Sequence, residues 1–364
     1  MLAKLYAHEM DTLDNHSRRS PRLSEILPLT PQSGARARGA SCPPGTWGGA
    51  LRPIANAATR INTSIASLRQ RLAGGDWPLL FGKLLLVYQM PKTGSQTIEG
   101  TLQRCQLPHR VLRFHYLSRE MADEIRRGPA SNFAPDNWQD MVGPQLAFME
   151  RMSRLLFWRK WLRRCGVPIP KVQIIAAVRD PVGLALSSVF ENHQYFFQNL
   201  HEATLDDFVS VLSRPRLYRF QDWFDLELNA LTGLRLYQKS FPHETGYAIY
   251  ENSFARALIY RFDALPKLRV MLRELLGCEV PDMIIRNRGT AKAYGDLYSW
   301  AKANVRLPAE FVAAQLNSRM IRHFYSPEER AEFQRQWSLG NDPVSLECDR
   351  PRSQRRTDSH VRLT

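Results

Sequence analysis

Lys92, Thr93, Gly94, Ser95, Gln96 and Thr97 follow an apolar run, Leu84-Leu85-Leu86-Val87-Tyr88, and precede a segment with helical spacing at 97–104. A strand–turn–helix of this kind offers an anion the unpaired N–H groups and partial positive charge of a helix start. Gly94 lets the backbone approach closely. Ser95 and Thr97 add hydroxyl donors, and Lys92 adds a point charge. The order is not that of a Walker A loop, whose Lys follows its second Gly. By residue type alone the stretch is also compatible with an ordinary connection carrying a chance Lys.

A second set of anion-binding residues follows the run Val172–Val178. Arg179 at a strand end can fork onto a phosphate. Ser187 lies eight positions on, about two helical turns away, on a face that can look back toward the same anion. Asp180, before Pro181, reads as a helix cap with Pro in the first turn. Ligands of open α/β sheets gather at the carboxyl ends of strands. His115 ends the alternating run Arg110–His115 and has an ordinary pKa near neutrality, which suits a general base. It is equally compatible with a partly buried, hydrogen-bonded ring. Glu191 and His193, at the end of the helix expected over Pro181–Asn192, are reserve bases. Lys292 is either a residue that closes over a ligand or a solvated helix charge.

Apolar runs alternating with helical segments indicate an α/β fold with a central parallel sheet in a three-layer core. Further strands are expected at Tyr247–Tyr250 and Ala257–Phe262, about a Glu251-Asn252-Ser253 turn. The C-terminal half adds helices. Thr204 with Asp207, and Ser326 with Glu329, have capping-box spacing, the latter opening a helix to about Trp337. Gly277 closes a helix expected from near Asp263. Residues 1–75 are rich in Arg, Ser, Pro and Gly. With the 346–364 tail they read as disordered, a short helix near Ser64–Leu72 apart, leaving one domain over 76–345.

The chain has 364 residues and a net charge of +15. Residues 1–75 contribute +6 and residues 348–364 another +3, so the middle of the chain is itself basic and attracts anions. Five scattered cysteines, without a CxxC pair, argue against a zinc framework or a disulfide scaffold and suit a reducing compartment. No run reaches the roughly 20 apolar residues of a membrane span. With no secretory leader recognised, a soluble cytoplasmic protein is expected.

Together, PKTGSQT and RDPVGLALSS resemble the two nucleotide-binding signatures of sulfotransferases that use 3′-phosphoadenosine 5′-phosphosulfate (PAPS). The resemblance implies a P-loop-like core. By motif position, Lys92, Thr93, Gly94, Ser95, Gln96 and Thr97 would hold the 5′-phosphosulfate, and Arg179 and Ser187 the 3′-phosphate, with no metal required. Downstream, Trp223-Phe224-Asp225-x-Glu227, Gly246-Tyr247, Ile259–Leu265, Asn287 with Lys292 and Tyr294, and His323-Phe324-Tyr325-Ser326 resemble bacterial sulfotransferase-like proteins of capsular polysaccharide synthesis. The similarity runs over residues 83–340. The chain departs from many sulfotransferases at Gly183-Leu184-Ala185 and Val189-Phe190, where those carry a basic residue and a Tyr.

The implied reaction moves a sulfuryl group from PAPS to a carbohydrate or polysaccharide hydroxyl. It requires a base at the hydroxyl and positive charge at the leaving oxygen. Lys92 fits the second role and His115 the first; several sulfotransferase branches place a His after the second strand. Two other classes stay open. A phosphoryl-transfer enzyme such as a small-molecule kinase would need Mg²⁺ ligands, and no convincing Walker B Asp is found. A non-catalytic anion or nucleic-acid binder would owe its affinity to charge alone, and no specific nucleic-acid partner is expected. A basic helix over Pro144–Arg164, with Phe157, Trp158 and Trp161, offers peripheral membrane contact, a face for an acidic glycan, or ordinary core packing with snorkelling cations.

Overall fold

A computed structural model describes residues 77–127, 138–283 and 292–339. The expectations for 1–75 and 346–364, and Asn287, lie outside these residues. Five strands form one sheet: β1 (Leu84–Tyr88), β2 (Arg110–Phe114), β3 (Val172–Val178), β4 (Tyr247–Glu251) and β5 (Ala255–Arg261). Their order is β2-β1-β3-β5-β4. The first four in that order are parallel, and β4 pairs antiparallel with β5 at the edge. The antiparallel edge follows from the short turn expected at 251–253, which is long enough for a hairpin but not for a crossover. Asn252 shapes it by accepting from the N–H groups of Phe254 and Ala255.

Every residue of β1 is buried, as is nearly all of β3, so both faces of the sheet are covered. On one face Leu85, Val87, Ile175, Ala177, Leu258 and Tyr260 pack on helices α1 (Ser95–Leu102) and α6 (Leu268–Leu276). On the other, Phe114 stacks on Phe148 of the long helix α3 (Trp138–Arg164), and Tyr88 packs on Trp223. Helix α2 (Arg119–Arg127) packs on α3 through Ala122, Ile125 and Met149. Further helices are α4 (Pro181–Glu191), α5 (Leu205–Leu212), α7 (Gly295–Asn304), α8 (Ala309–Leu316), α9 (Arg319–Phe324) and α10 (Pro327–Trp337), besides the short helical turns Trp77–Phe81 and Ala230–Thr232. Both expected capping boxes form, at the starts of α5 and α10.

Three expectations need correction. Residues 262–267 are a 3₁₀ turn rather than the start of an α-helix, and α6 begins at Leu268; Pro266, lacking an N–H, keeps the ladder from running through. Helix α1 begins two residues earlier than its spacing indicates, at Ser95. Helix α3 begins at Trp138, with Pro144 inside it. Part of its basic set is spent inside the fold, while Arg151, Arg154 and Arg164 stay exposed. Arg159 is fully buried and donates to the carbonyls of Leu79, Leu80, Gly82 and Pro170. Lys160 reaches the Leu231 carbonyl and Arg163 that of Ser253. Phe157 remains exposed. No helix among the described residues is long and apolar enough to cross a membrane.

Candidate functional site

The segment Pro91–Gly94 leaves the carboxyl end of β1 in a tight turn. Lys92 takes the left-handed conformation at φ 66° and Gly94 follows at φ 86°. For a side-chain-bearing residue that conformation costs of order 1–2 kcal/mol, so it is held from outside. The holding contacts converge on Thr93, which is buried. Its hydroxyl donates to the Met90 carbonyl, and its own carbonyl accepts from Gln89 Nε2 and from the Tyr260 hydroxyl. Thr93 therefore works as an anchor, and its hydroxyl is spent inside the loop. The start of α1 at Gly94 has no side-chain cap, so its first N–H groups are left for an outside acceptor. Ser95 and Thr97 are buried beside it, and Gln96 is half-buried.

Arg179 leaves the end of the adjacent strand β3 and meets this loop. Its guanidinium donates to the Lys92 carbonyl at 3.0 Å, lies 4.6 Å from the Phe262 ring centre, and reaches the Tyr298 hydroxyl of α7. The two motifs, far apart in sequence, thus touch across neighbouring parallel strands. Asp180 caps α4 by accepting from the Gly183 N–H at 2.6 Å. A Cβ on Gly183 would stand 2.4 Å from Asp180 Oδ2, so the close cap favours a glycine there. Ser187 is half-buried on α4.

Glu191, the last residue of α4, returns to the loop. Its Oε2 accepts from Lys92 Nζ at 2.8 Å, from Lys292 Nζ, and from the Tyr294 hydroxyl at 3.0 Å. Burial pushes the Glu191 carboxyl up, but Lys92 and Lys292 together outweigh it and hold the pKa at about 2. Lys92 is itself lowered, first by burial and then by the charges of Lys292 and Arg179, against the opposing pull of Glu191. Two lysines thus share one carboxylate, with Arg179 close enough to act on Lys92. His193 packs edge-on against Tyr294, with Nδ1 at the Phe190 carbonyl.

His115, just past the end of β2, is 1% exposed. Its Nδ1 lies 2.7 Å from the Gln89 carbonyl, which makes that nitrogen the donor. Burial lowers its pKa to about 3 despite this bond, and the Arg113 and Lys92 charges push the same way. The ring is therefore neutral at neutral pH. The backbone around it is clamped by residues without an assigned role in the sequence reading. Trp223 Nε1 donates to the His115 carbonyl at 2.7 Å. Glu227, on the π-helical segment Phe224–Asn229, accepts from the Leu117 and Ser118 N–H groups, the Ser118 hydroxyl and the Tyr88 hydroxyl. Burial raises the Glu227 carboxyl even against these donors. The spacing Trp223-x-x-x-Glu227 was visible in the sequence; its partners were not. Tyr298 carries no sequence signal at all.

None of the curated proteins and none of the solved structures compared matches the chain. A family model described as "Putative capsular polysaccharide synthesis protein" matches residues 176–326. That stretch runs from within β3 to the Ser326 cap of α10 and includes Arg179, Ser187, Glu191, Lys292 and Tyr294, but not the loop at 91–97. Over these residues the chain is similar to a family of polysaccharide synthesis proteins.

Proposed function

We propose that the protein is a transferase that moves a sulfuryl group from PAPS to a hydroxyl of a carbohydrate or polysaccharide. The observation that carries this reading is the meeting of Lys92 and Lys292 on the carboxylate of Glu191, with Arg179 on the Lys92 carbonyl, beside the uncapped start of α1. A surplus of cations at the carboxyl ends of parallel strands calls for a polyanion. The donor's 5′-phosphosulfate is assigned to Lys92 and the N–H groups of Gly94, Ser95 and Gln96, with Thr97 alongside. Its 3′-phosphate is assigned to Arg179 and Ser187. The similarity to polysaccharide synthesis proteins supports a carbohydrate acceptor.

In this reading Lys92 stabilises the phosphate oxygen as the S–O bond to it breaks. The acceptor oxygen forms the new bond to sulfur, and its proton passes to a base. Glu191 is the accessible candidate, since its carboxylate sits against Lys92 with 22% of its side chain exposed. Donor phosphates would share Lys92 and Lys292 with Glu191 and so restore part of its basicity. His115 is the second candidate. Its neutral ring has the protonation state a base needs, but its burial makes it the less accessible of the two.

Calorimetric titration with adenosine 3′,5′-bisphosphate, with and without Mg²⁺ and against ATP, tests the assignment. Mg²⁺-independent binding that excludes ATP is expected. Preference for Mg·ATP would make the protein a phosphoryl-transfer enzyme. Failure of both nucleotides would leave a non-catalytic anion binder.

A further inference from the structure

A polar cavity of about 240 Å³ opens beside the π-helical segment. Asp225, Asn229, Arg235, Tyr237, Gln238 and Arg319 supply its polar lining over a floor that includes Phe224. It is smaller than the roughly 300–1,000 Å³ of sites for drug-sized ligands, a size suited to one sugar ring. Arg319, at the start of α9, holds its guanidinium 4.2 Å from the Tyr237 ring centre. Its ion pair with Asp225 is loose at 3.6 Å, and 65% of its side chain is exposed. The stack orients the planar fork while leaving N–H groups for a ligand, an arrangement suited to gripping a carboxylate with two parallel bonds. Arg235 adds a second exposed cation against the one carboxylate of Asp225. The amides of Asn229 and Gln238 both donate and accept, as sugar hydroxyls do.

We infer that this cavity is an acceptor subsite for an acidic sugar, a hexuronate unit of a polysaccharide whose carboxylate is held by Arg319. The inference rests on the carbohydrate-acceptor reading above and extends it to the acceptor's chemistry. The cavity and the clamp on the His115–Ser118 segment share one element. Asp225 and Asn229 line the cavity from the π-helical segment, while Glu227 of that segment holds Leu117 and Ser118. A sugar held there contributes binding energy away from the reacting hydroxyl, which an enzyme can use to position the chain.

The test uses the full chain and calorimetric titration with a hexameric oligogalacturonate, with neutral maltohexaose as control. The acidic oligosaccharide is expected to bind and the neutral one not. Arg319→Ala should weaken oligogalacturonate binding about tenfold, a loss of roughly 1.4 kcal/mol. Arg319→Lys keeps the charge but loses the fork, so it should recover only part of the affinity. Adenosine 3′,5′-bisphosphate affinity should be unchanged in both variants, which separates this inference from the donor assignment. Equal binding of both oligosaccharides would overturn it. So would undiminished oligogalacturonate binding in an Arg235→Ala, Arg319→Ala double variant, since other basic segments would then be the binders.

Discussion

Replacing Glu191 by Gln removes the negative charge that Lys92 and Lys292 share, while keeping the size of the side chain. Its pKa of about 2 against an ordinary 4.5 means that the surrounding cations favour the carboxylate by about 3 kcal/mol. A phosphate held on Lys92 would lie roughly 6 Å from that carboxylate. With an effective dielectric of 20–40, the repulsion per unit charge is about 1–3 kcal/mol. The side chain is partly exposed, so solvent and salt screen the lower half of that range further. Glu191→Gln should therefore raise adenosine 3′,5′-bisphosphate affinity about tenfold at low salt, and less at high salt. Turnover should move the other way, falling by roughly a hundredfold or more if Glu191 accepts the proton. Calorimetry at two ionic strengths and initial rates of sulfuryl transfer read the two effects separately. Unchanged or weaker bisphosphate binding would show that the donor does not sit beside Lys92, and the charge argument would fail with it.

Arg179→Ala removes a charge-assisted phosphate contact worth roughly 1.5–3 kcal/mol, so bisphosphate affinity should fall tenfold or more by calorimetry. The buried ring of His115 refuses a proton that the unfolded chain takes up below 6.5, so it costs stability as pH falls from 6.5 toward about 3. His115→Asn should flatten that part of the pH–stability curve by up to about 1.4 kcal/mol per pH unit in denaturant titrations; an unaltered slope would place its origin elsewhere. The same variant should keep most of its sulfuryl-transfer rate if Glu191 is the base, whereas a hundredfold loss with bisphosphate binding intact would restore the role to His115. Gly183→Ala drives a Cβ into the Asp180 carboxylate and should cost about 1 kcal/mol through the lost cap, read as a lower Tm.

Much of the scaffold could be read from local pattern. Leu84–Tyr88 and Val172–Val178 are unbroken apolar runs because both faces of a central parallel strand are buried, and each occurs as a strand with the expected bounds. Ser326-Pro-Glu-Glu and Thr204 with Asp207 mark helix starts through contacts only three residues long. Such short-range chemistry needs no knowledge of the fold. Pro266 and the residues before Pro144 were misjudged because packing decides whether a helix runs through a proline or stops at it.

The candidate site divides along the same line. Residue types and spacing singled out Lys92, Gly94, Arg179 and Ser187, since anion-binding turns need small residues and fixed cations at strand ends. They placed Glu191 in reserve and left Tyr298 and the Trp223–Glu227 clamp without a role. Only the tertiary structure joined Lys292 and Lys92 on one carboxylate and sealed His115 away from solvent. Those facts depend on which strands become neighbours and which helices return to the sheet edge. Charge, accessibility and basicity are set by that three-dimensional surrounding, which no window of sequence contains.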